Sequence, residues 1–339
     1  FTVGTCMKGR LMRSKMIGIV GLGYMGSSIA TCLLHRGMRV VGFTRPSDGF
    51  AKARDTIIAG IEDLIAHQAA EPSLLGNWST RYIEAKTVAA MRDCDFVIET
   101  VTENVDVKRV VFDEIETVVK RDVPVATNTS GLPITLLQEG LQYPERLIGM
   151  HWCAPCYVNP LLEIICGEKT NQATIDATMR LAAAAGKEPG LIRKDIEGFI
   201  VNRLGYALFR EALHLLDSGV ADAATIDRMF QNVIGMYGGV IGPLRWMDLT
   251  GFAIYADVME RLFPALDNST TVPRSLRQLI DSGARGAAQG RGFFTYTPAE
   301  ERQYQQLLAE HMWNVVQWRD RYAKHFSEIK QWPRPEQND

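Results

Sequence analysis

A glycine-rich turn set between a short apolar run and a helical stretch restricts this chain more than any other feature. Gly21-Leu22-Gly23-Tyr24-Met25-Gly26 follows the β-branched run Met16–Val20 and opens the helical pattern of residues 24–36. In such a turn the first glycine permits the tight bend and the second lets backbone approach a diphosphate. The third lets the helix lie close against the strand. The helix N-terminus then presents the positive end of its dipole to the phosphates. Gly21, Gly23, Tyr24, Met25 and Gly26 are therefore read as the cradle of a dinucleotide. The strand–turn–helix setting separates this motif from an ordinary glycine turn.

Further short β-branched runs occur at residues 39–44, 95–99, 123–126, 146–151, 161–166 and 190–193, with helical patterns such as 107–120 filling most of the gaps. Strands alternating with helices imply a parallel sheet covered on both faces. After Asp195 the pattern becomes helix upon helix, beginning with residues 198–217 and 221–231. A last long helical pattern at 299–329 has Tyr304, Leu308, Met312 and Val315 on one face. The expected class is α/β, a Rossmann-type doubly wound, mainly parallel sheet over residues 16–193, followed by an all-helical domain over 194–330. Residues 1–15 are set apart as an N-terminal extension and 331–339 as a flexible tail.

The length of 339 residues agrees with about two domains. Lys and Arg number 37 against 39 Asp and Glu, a net charge of -2. A nucleic-acid or anionic-membrane binder carries a basic excess that is missing here, and no apolar run has the length of a membrane span. Six scattered cysteines (Cys6, Cys32, Cys94, Cys153, Cys156 and Cys166) without a hydrophobic leader read as reduced thiols of a cytoplasmic protein.

The end of the second strand bears on which dinucleotide is held. NAD enzymes place an acid about 20 residues beyond the turn to accept from the ribose hydroxyls. Here the strand runs into Thr44-Arg45-Pro46-Ser47, with no acid at its tip. A carboxylate there would repel a 2′-phosphate, whereas a guanidinium binds one bidentately. Thr44, Arg45 and Ser47 point to NADP, with NAD as second choice. Stacking of Arg45 on the adenine, or a ribose role for Asp48, are the alternatives the residues leave open.

Three strand ends gather polar residues: Glu99 through Lys108, Asn128-Thr129-Ser130, and His151-Trp152-Cys153-Ala154-Pro155. In an open parallel sheet ligands sit beyond the carboxyl ends of the strands, so all three face the cofactor cleft. Glu163 stands inside the apolar run Leu161-Leu162-Glu163-Ile164-Ile165. A buried ionised carboxylate needs a partner, since leaving it unpaired costs several kcal/mol. His151, 12 residues earlier at a strand end, is the best candidate. Such a pair fixes the imidazole tautomer and raises its basicity, as a general base for an alcohol proton requires.

These motifs, in this order, resemble the 3-hydroxyacyl-CoA dehydrogenases over nearly all of residues 16–297. The likeness rests on Gly21–Gly26, Glu103-Asn104…Lys108, Asn128-Thr129-Ser130, His151-x-x-x-Pro155 and Glu163. Beyond these stand Gly198-Phe199-Ile200-Val201-Asn202-Arg203, Gly242-Pro243 and Gly290-Arg291-Gly292-Phe293-Phe294. The resemblance implies His151 as base, Glu163 as its orienter, and Ser130 and Asn202 holding the substrate oxygen. It also implies that Glu103, Lys108 and Asn128 line the nicotinamide and its ribose, with no metal, and that the helical domain takes substrate and forms a homodimer. Two departures stand out. Ala154 occupies the family's Asn position, which removes one polar contact near the reacting carbonyl. The stretch from Asp55 to Thr80 contains no Lys or Arg, whereas CoA-using members carry a Lys-rich hairpin there. The segments around Thr129, Tyr143 and Gly167 look closer to a branch acting on small free acids and alcohols, namely L-gulonate, L-carnitine and a pyridine carboxylate.

The expectation is thus an NAD(P)-dependent, preferentially NADP-dependent, oxidoreductase interconverting a hydroxyl and a carbonyl on a small hydroxy acid. A true 3-hydroxyacyl-CoA dehydrogenase and a non-catalytic NADP-binding sensor or crystallin-like protein are the rivals. The 6-phosphogluconate type relies on a catalytic Lys, which the His151/Glu163 pairing argues against. Cys153 and Cys156 form a C-x-x-C with no second pair to complete a zinc site, and read as pocket lining. Trp313, Trp318, Tyr322 and Phe326 read as a helix face packed on a partner subunit.

Overall fold

Residues 15–45 and 49–327 are described by the computed structural model, the side chains of 323–327 excepted. Ser47, Pro46, Asp48, Cys6 and the two terminal segments lie outside the described residues. The first unit is built on eight strands: β1 (Met16–Val20), β2 (Arg39–Phe43), β3 (Tyr82–Ala85), β4 (Phe96–Glu99), β5 (Val125–Thr127), β6 (Leu147–Trp152), β7 (Leu161–Ile165) and β8 (Glu188–Ile192). They lie side by side in the order β3-β2-β1-β4-β5-β6-β7-β8. All neighbours are parallel except β6 and β7. The α/β, doubly wound class expected from the alternating pattern is the one observed.

Side chains alternate across the sheet, and each face is closed by helices. Ile17, Ile19, Phe96 and Ile98 pack into one apolar cluster with α1 (Tyr24–His35), α2 (Gly49–Ala66) and α4 (Gln172–Ala184). Val20, Val41, Val97 and Val125 pack into another with Val111, Phe112 and Ile115 of α3 (Val105–Val118). Two helix starts are fixed by asparagine caps. Asn104 accepts from Val107 N at 3.0 Å and Asn171 accepts from Thr174 N at 2.8 Å. Such caps are each worth about 1 kcal/mol.

The antiparallel turn from β6 to β7 has the greatest consequence for chemistry. It sets His151 directly opposite Glu163 in the ladder, so both residues sit at the edge where the parallel strands end. The strand β3 was not foreseen. It has four residues at the sheet edge, with Ile83 40% exposed, and is too short for periodicity to reveal it.

The chain divides into two compact units between Arg203 and Leu204, within the first turn of α5 (Val201–Asp217). The second unit contains α6 (Ala223–Phe230), α7 (Pro243–Thr250), α8 (Phe252–Leu262), α9 (Arg274–Asp281) and α10 (Pro298–Ser327). None of α6 to α9 has a buried residue. Tyr206, Met236, Leu244, Leu249 and Phe252 are each more than 65% exposed. Trp318 and Tyr322 pack ring on ring at 5.0 Å in α10. Among the described residues no helix is long and apolar enough to cross a membrane.

Candidate active site

The glycine turn is shaped by two close approaches and one open position. Gly21 has φ +105, and a Cβ there would meet the Thr100 backbone at 2.8 Å. A Cβ on Gly26 would fall 1.9 Å from the Gly21 carbonyl oxygen, so helix and turn can pack this closely only with glycine. Around Gly23 a Cβ would meet nothing within 4 Å. The space in front of it is therefore open, as approach of a diphosphate requires. The first turn of α1 has no acidic residue and no side-chain cap, which leaves its N–H groups free for an anion. Tyr24 is 63% exposed at the helix start, and Met25 packs at the edge of the first apolar cluster. These residues fit a dinucleotide.

Thr44 and Arg45 follow the end of β2, and Arg45 donates to Glu114 of α3 at 2.8 Å. Both partners are about half exposed.

The His151 Nδ1 atom lies 2.8 Å from Glu163 Oε2, with both side chains under 10% exposed. The other carboxylate oxygen accepts from the backbone N–H of Ile200 at 2.9 Å and of Val201 at 3.0 Å. The chain reaches that oxygen through two successive left-handed residues, Gly198 (φ +75) and Phe199 (φ +54). A non-glycine residue there is uncommon and strained. Phe199 is fully buried and its ring lies 5.8 Å from the His151 ring, so packing holds it in place. Burial works against the charge on Glu163. The hydrogen bonds from His151, Val201 and Ile200 overcome it and hold the carboxyl below its usual range.

Ser130 is exposed at the strand end. Its carbonyl accepts from Asn202 Nδ2 at 2.6 Å, and its N–H donates to Glu103 Oε1 at 2.9 Å. Thr129 Oγ1 donates to the same Glu103 oxygen at 2.5 Å and accepts from Leu132 N at 2.9 Å. Asn128 Oδ1 accepts from Trp152 N at 2.9 Å, tying the Ser130 strand end to the residue after His151. His151, Glu163, Ser130, Asn202, Glu103 and Asn128 are thus joined through short hydrogen-bonded links. Burial opposes the charge on Glu103, but Thr129, Lys108 and the Ser130 amide outweigh it and keep this carboxyl low.

Lys108 is fully buried, bonded to both oxygens of Glu99 at 2.9 and 3.0 Å and 3.4 Å from Glu103. Glu99, at the end of β4, was not singled out from the sequence. Its signal was a lone carboxylate closing an apolar run with a lysine nine residues on. Thr127 was likewise missed, and Thr129 and Phe199 stood within quoted motifs without a role of their own.

Cys153 is partly buried beside the site and Cys156 is buried; both are free thiols. Burial pushes the Cys156 thiol up to about 12, so it stays protonated. Among the described residues no cluster of His, Cys, Asp and Glu is placed to hold a metal.

Comparison with known proteins settles the lineage. Residues 16–196 match the 3-hydroxyacyl-CoA dehydrogenase NAD-binding domain, and residues 198–296 match the C-terminal domain of the same family. The chain belongs to the 3-hydroxyacyl-CoA dehydrogenase family. It is 36% identical over 289 residues to the 5-formyl-3-hydroxy-2-methylpyridine 4-carboxylate 5-dehydrogenase of Mesorhizobium japonicum, covering 85% of this chain and 93% of that protein. It is 31% identical over 287 residues to the 3-hydroxybutyryl-CoA dehydrogenase of Bradyrhizobium diazoefficiens, covering 84% and 97%. A solved 5-formyl-3-hydroxy-2-methylpyridine 4-carboxylic acid 5-dehydrogenase, described as an NAD+ dependent dismutase, superposes with a TM-score of 0.83. Identity there is 34%, with 89% of this chain and 97% of that one covered. The (S)-3-hydroxybutyryl-CoA dehydrogenase from Ralstonia eutropha follows at a TM-score of 0.71 and 30% identity, covering 84% and 99%. The resemblance read from the motifs is therefore borne out. This dehydrogenase is a pyridine-nucleotide-dependent oxidoreductase acting on CH–OH groups of a small molecule.

Proposed function

We propose that this dehydrogenase interconverts a hydroxyl and a carbonyl on a small hydroxy acid or related compound, with NADP preferred over NAD. The His151–Glu163 cross-strand pair carries this reading. With Nδ1–H given to the carboxylate, Nε2 is left as an acceptor. In the oxidative direction Nε2 takes the hydroxyl proton, and Glu163 stabilises the imidazolium that forms. In the reductive direction the same imidazolium returns the proton to the carbonyl oxygen. Ser130 and Asn202 hold that oxygen between them. Glu103, Lys108 and Asn128 are the residues that would line the nicotinamide and its ribose. When bound, the nicotinamide supplies the hydride acceptor for oxidation and the donor for reduction.

Support for a small substrate is electrostatic as well as comparative. The stretch from Asp55 to Thr80 offers no cation for the phosphates of CoA. The pyridine carboxylate enzyme is also the more similar of the two curated relatives described above. Support for NADP is Arg45, in a position where an acid would serve the ribose of NAD. We also propose a cytoplasmic homodimer formed through the helical domain of residues 194–330, where Tyr206, Met236, Leu244, Leu249 and Phe252 present apolar side chains to the surface.

The deciding experiment is His151→Gln, assayed with hydroxy acids and their CoA thioesters, with NADP and with NAD. Turnover should fall by about 10²- to 10⁴-fold while dinucleotide binding, measured by fluorescence titration, is retained. Unchanged turnover would remove His151 from the chemistry. A strict need for the CoA form would replace the small-acid reading with the thioester one.

A further inference from the structure

The Glu99 carboxylate has no part in the proton transfer described above, yet it is fully buried and satisfied at every turn. Val101 N donates to Oε1 at 2.6 Å and Thr127 Oγ1 to Oε2 at 2.6 Å. The Lys108 ammonium closes on both oxygens. The same ammonium faces a second carboxylate, Glu103 Oε2, at 3.4 Å. Glu103 turns its other oxygen to the Ser130 N–H and the Thr129 hydroxyl. A continuous polar path therefore runs from β4 through Lys108 and Glu103 to the backbone of Ser130.

The charges explain the arrangement. One ammonium stands between two carboxylates, and the fully buried one binds it through two short bonds. A buried lysine held only by Glu103 would draw that partly exposed carboxylate inward, away from the Ser130 amide. A lysine already paired with Glu99 attracts Glu103 without capturing it. We propose that Glu99 is a positioning residue for the Ser130 loop: it fixes Lys108 so that Glu103 stays aimed at the Ser130 N–H. Glu99 touches neither substrate nor nicotinamide and acts through Lys108. The catalytic consequence rests on the reading of Ser130 as a holder of the substrate oxygen. Misplacing such a group by about 1 Å costs about 10²-fold in rate.

The test is Glu99→Gln, read first by the amide proton resonance of Ser130 and then by steady-state kinetics. Loss of the fixed lysine should move the Ser130 resonance toward that of an unbonded amide. It should lower kcat by about 10- to 100-fold while KM for the dinucleotide changes by less than about 3-fold. In Glu103→Gln the second change should add nothing, so the double variant should match Glu103→Gln alone. A shifted resonance with unchanged kcat supports the positioning and overturns the role given to Ser130. An unmoved resonance overturns the proposal, whatever the turnover. Should Glu99→Gln fail to fold, Thr127→Val loosens the same carboxylate without a charge change. It must then move the Ser130 resonance the same way by a smaller amount, and no movement again overturns the proposal.

Discussion

Glu163 and Glu99 stand on strands of one sheet, each with its side chain no more than 3% exposed, yet the two carboxylates are held in different ways. Glu163 faces an imidazole and two backbone N–H groups. Glu99 faces an ammonium, one hydroxyl and one backbone N–H. Burial drives the Glu99 carboxyl above its usual range, against the pull of Lys108 and the hydrogen bonds from Thr127 and Val101. Glu163, although buried too, is held below its usual range by its hydrogen bonds. The two buried carboxylates thus differ in partner, an imidazole for Glu163 and an ammonium for Glu99. Burial alone does not tell the two apart; the partner does.

Removing one partner from each pair breaks the comparison most directly. Lys108→Met leaves Glu99 as a buried carboxylate without its counter-charge, and should destabilise the fold by about 3–5 kcal/mol. Chemical unfolding midpoints would show it. His151→Gln leaves Glu163 with both backbone donors, so its effect on stability should be the smaller of the two. Equal losses would mean that the backbone donors contribute little to holding Glu163.

Glu163→Gln comes next, as an effect on turnover. The amide keeps the shape but cannot stabilise an imidazolium, and kcat should drop by about 10²-fold with dinucleotide affinity unchanged. A drop confined to KM would instead make Glu163 a binding residue.

The same two residues should also separate by pH. Because the folded Glu163 carboxyl lies below its ordinary 4.5, its stabilising effect is fully present above that value. It is lost as pH falls through the lower, folded value. Unfolding midpoints of Glu163→Gln should therefore differ from the parent by a constant amount above pH 4.5 and converge below it. Glu99 has the opposite sign. Its raised carboxyl makes the parent lose ground to Glu99→Gln as pH rises from 4.5 toward the folded value. Parallel pH dependence in the two variants would contradict the contrast drawn between them.

Much of this was legible in the sequence because the signals were local or periodic. Gly21–Gly26 announced its turn by spacing. Glu163 announced itself as a charge among Leu161, Leu162, Ile164 and Ile165, and His151 at a preceding strand end was its best candidate partner. Glu99 was not legible as a buried charge. It closes its run instead of interrupting it, and a carboxylate at a strand end usually meets solvent. Its burial depends on the return of α3, which brings Lys108 back over β4. Phe199 was also hidden, since its left-handed backbone follows from a contact with Glu163 made across 37 residues. The edge strand β3, four residues long, is too short for a period to register.

A half-exposed ion pair completes the series. Arg45 and Glu114 meet at 2.8 Å with side chains 55% and 42% exposed, and such pairs contribute about 0–1 kcal/mol. Glu114→Gln should therefore leave the unfolding midpoint nearly unchanged, in contrast with Lys108→Met. Its effect belongs to the cofactor instead. On the proposed reading a 2′-phosphate takes Arg45 from Glu114, so releasing the guanidinium should tighten NADP binding by up to about five-fold, the equivalent of 1 kcal/mol. NAD binding should not move, since it offers no phosphate at that position. In Arg45→Asp the preference should turn toward NAD, and the gain from Glu114→Gln should vanish. Titration of both dinucleotides against the parent, the two single variants and the double variant measures this. Equal NADP affinity in all of them would separate Arg45 from cofactor choice and leave the pair as a surface contact.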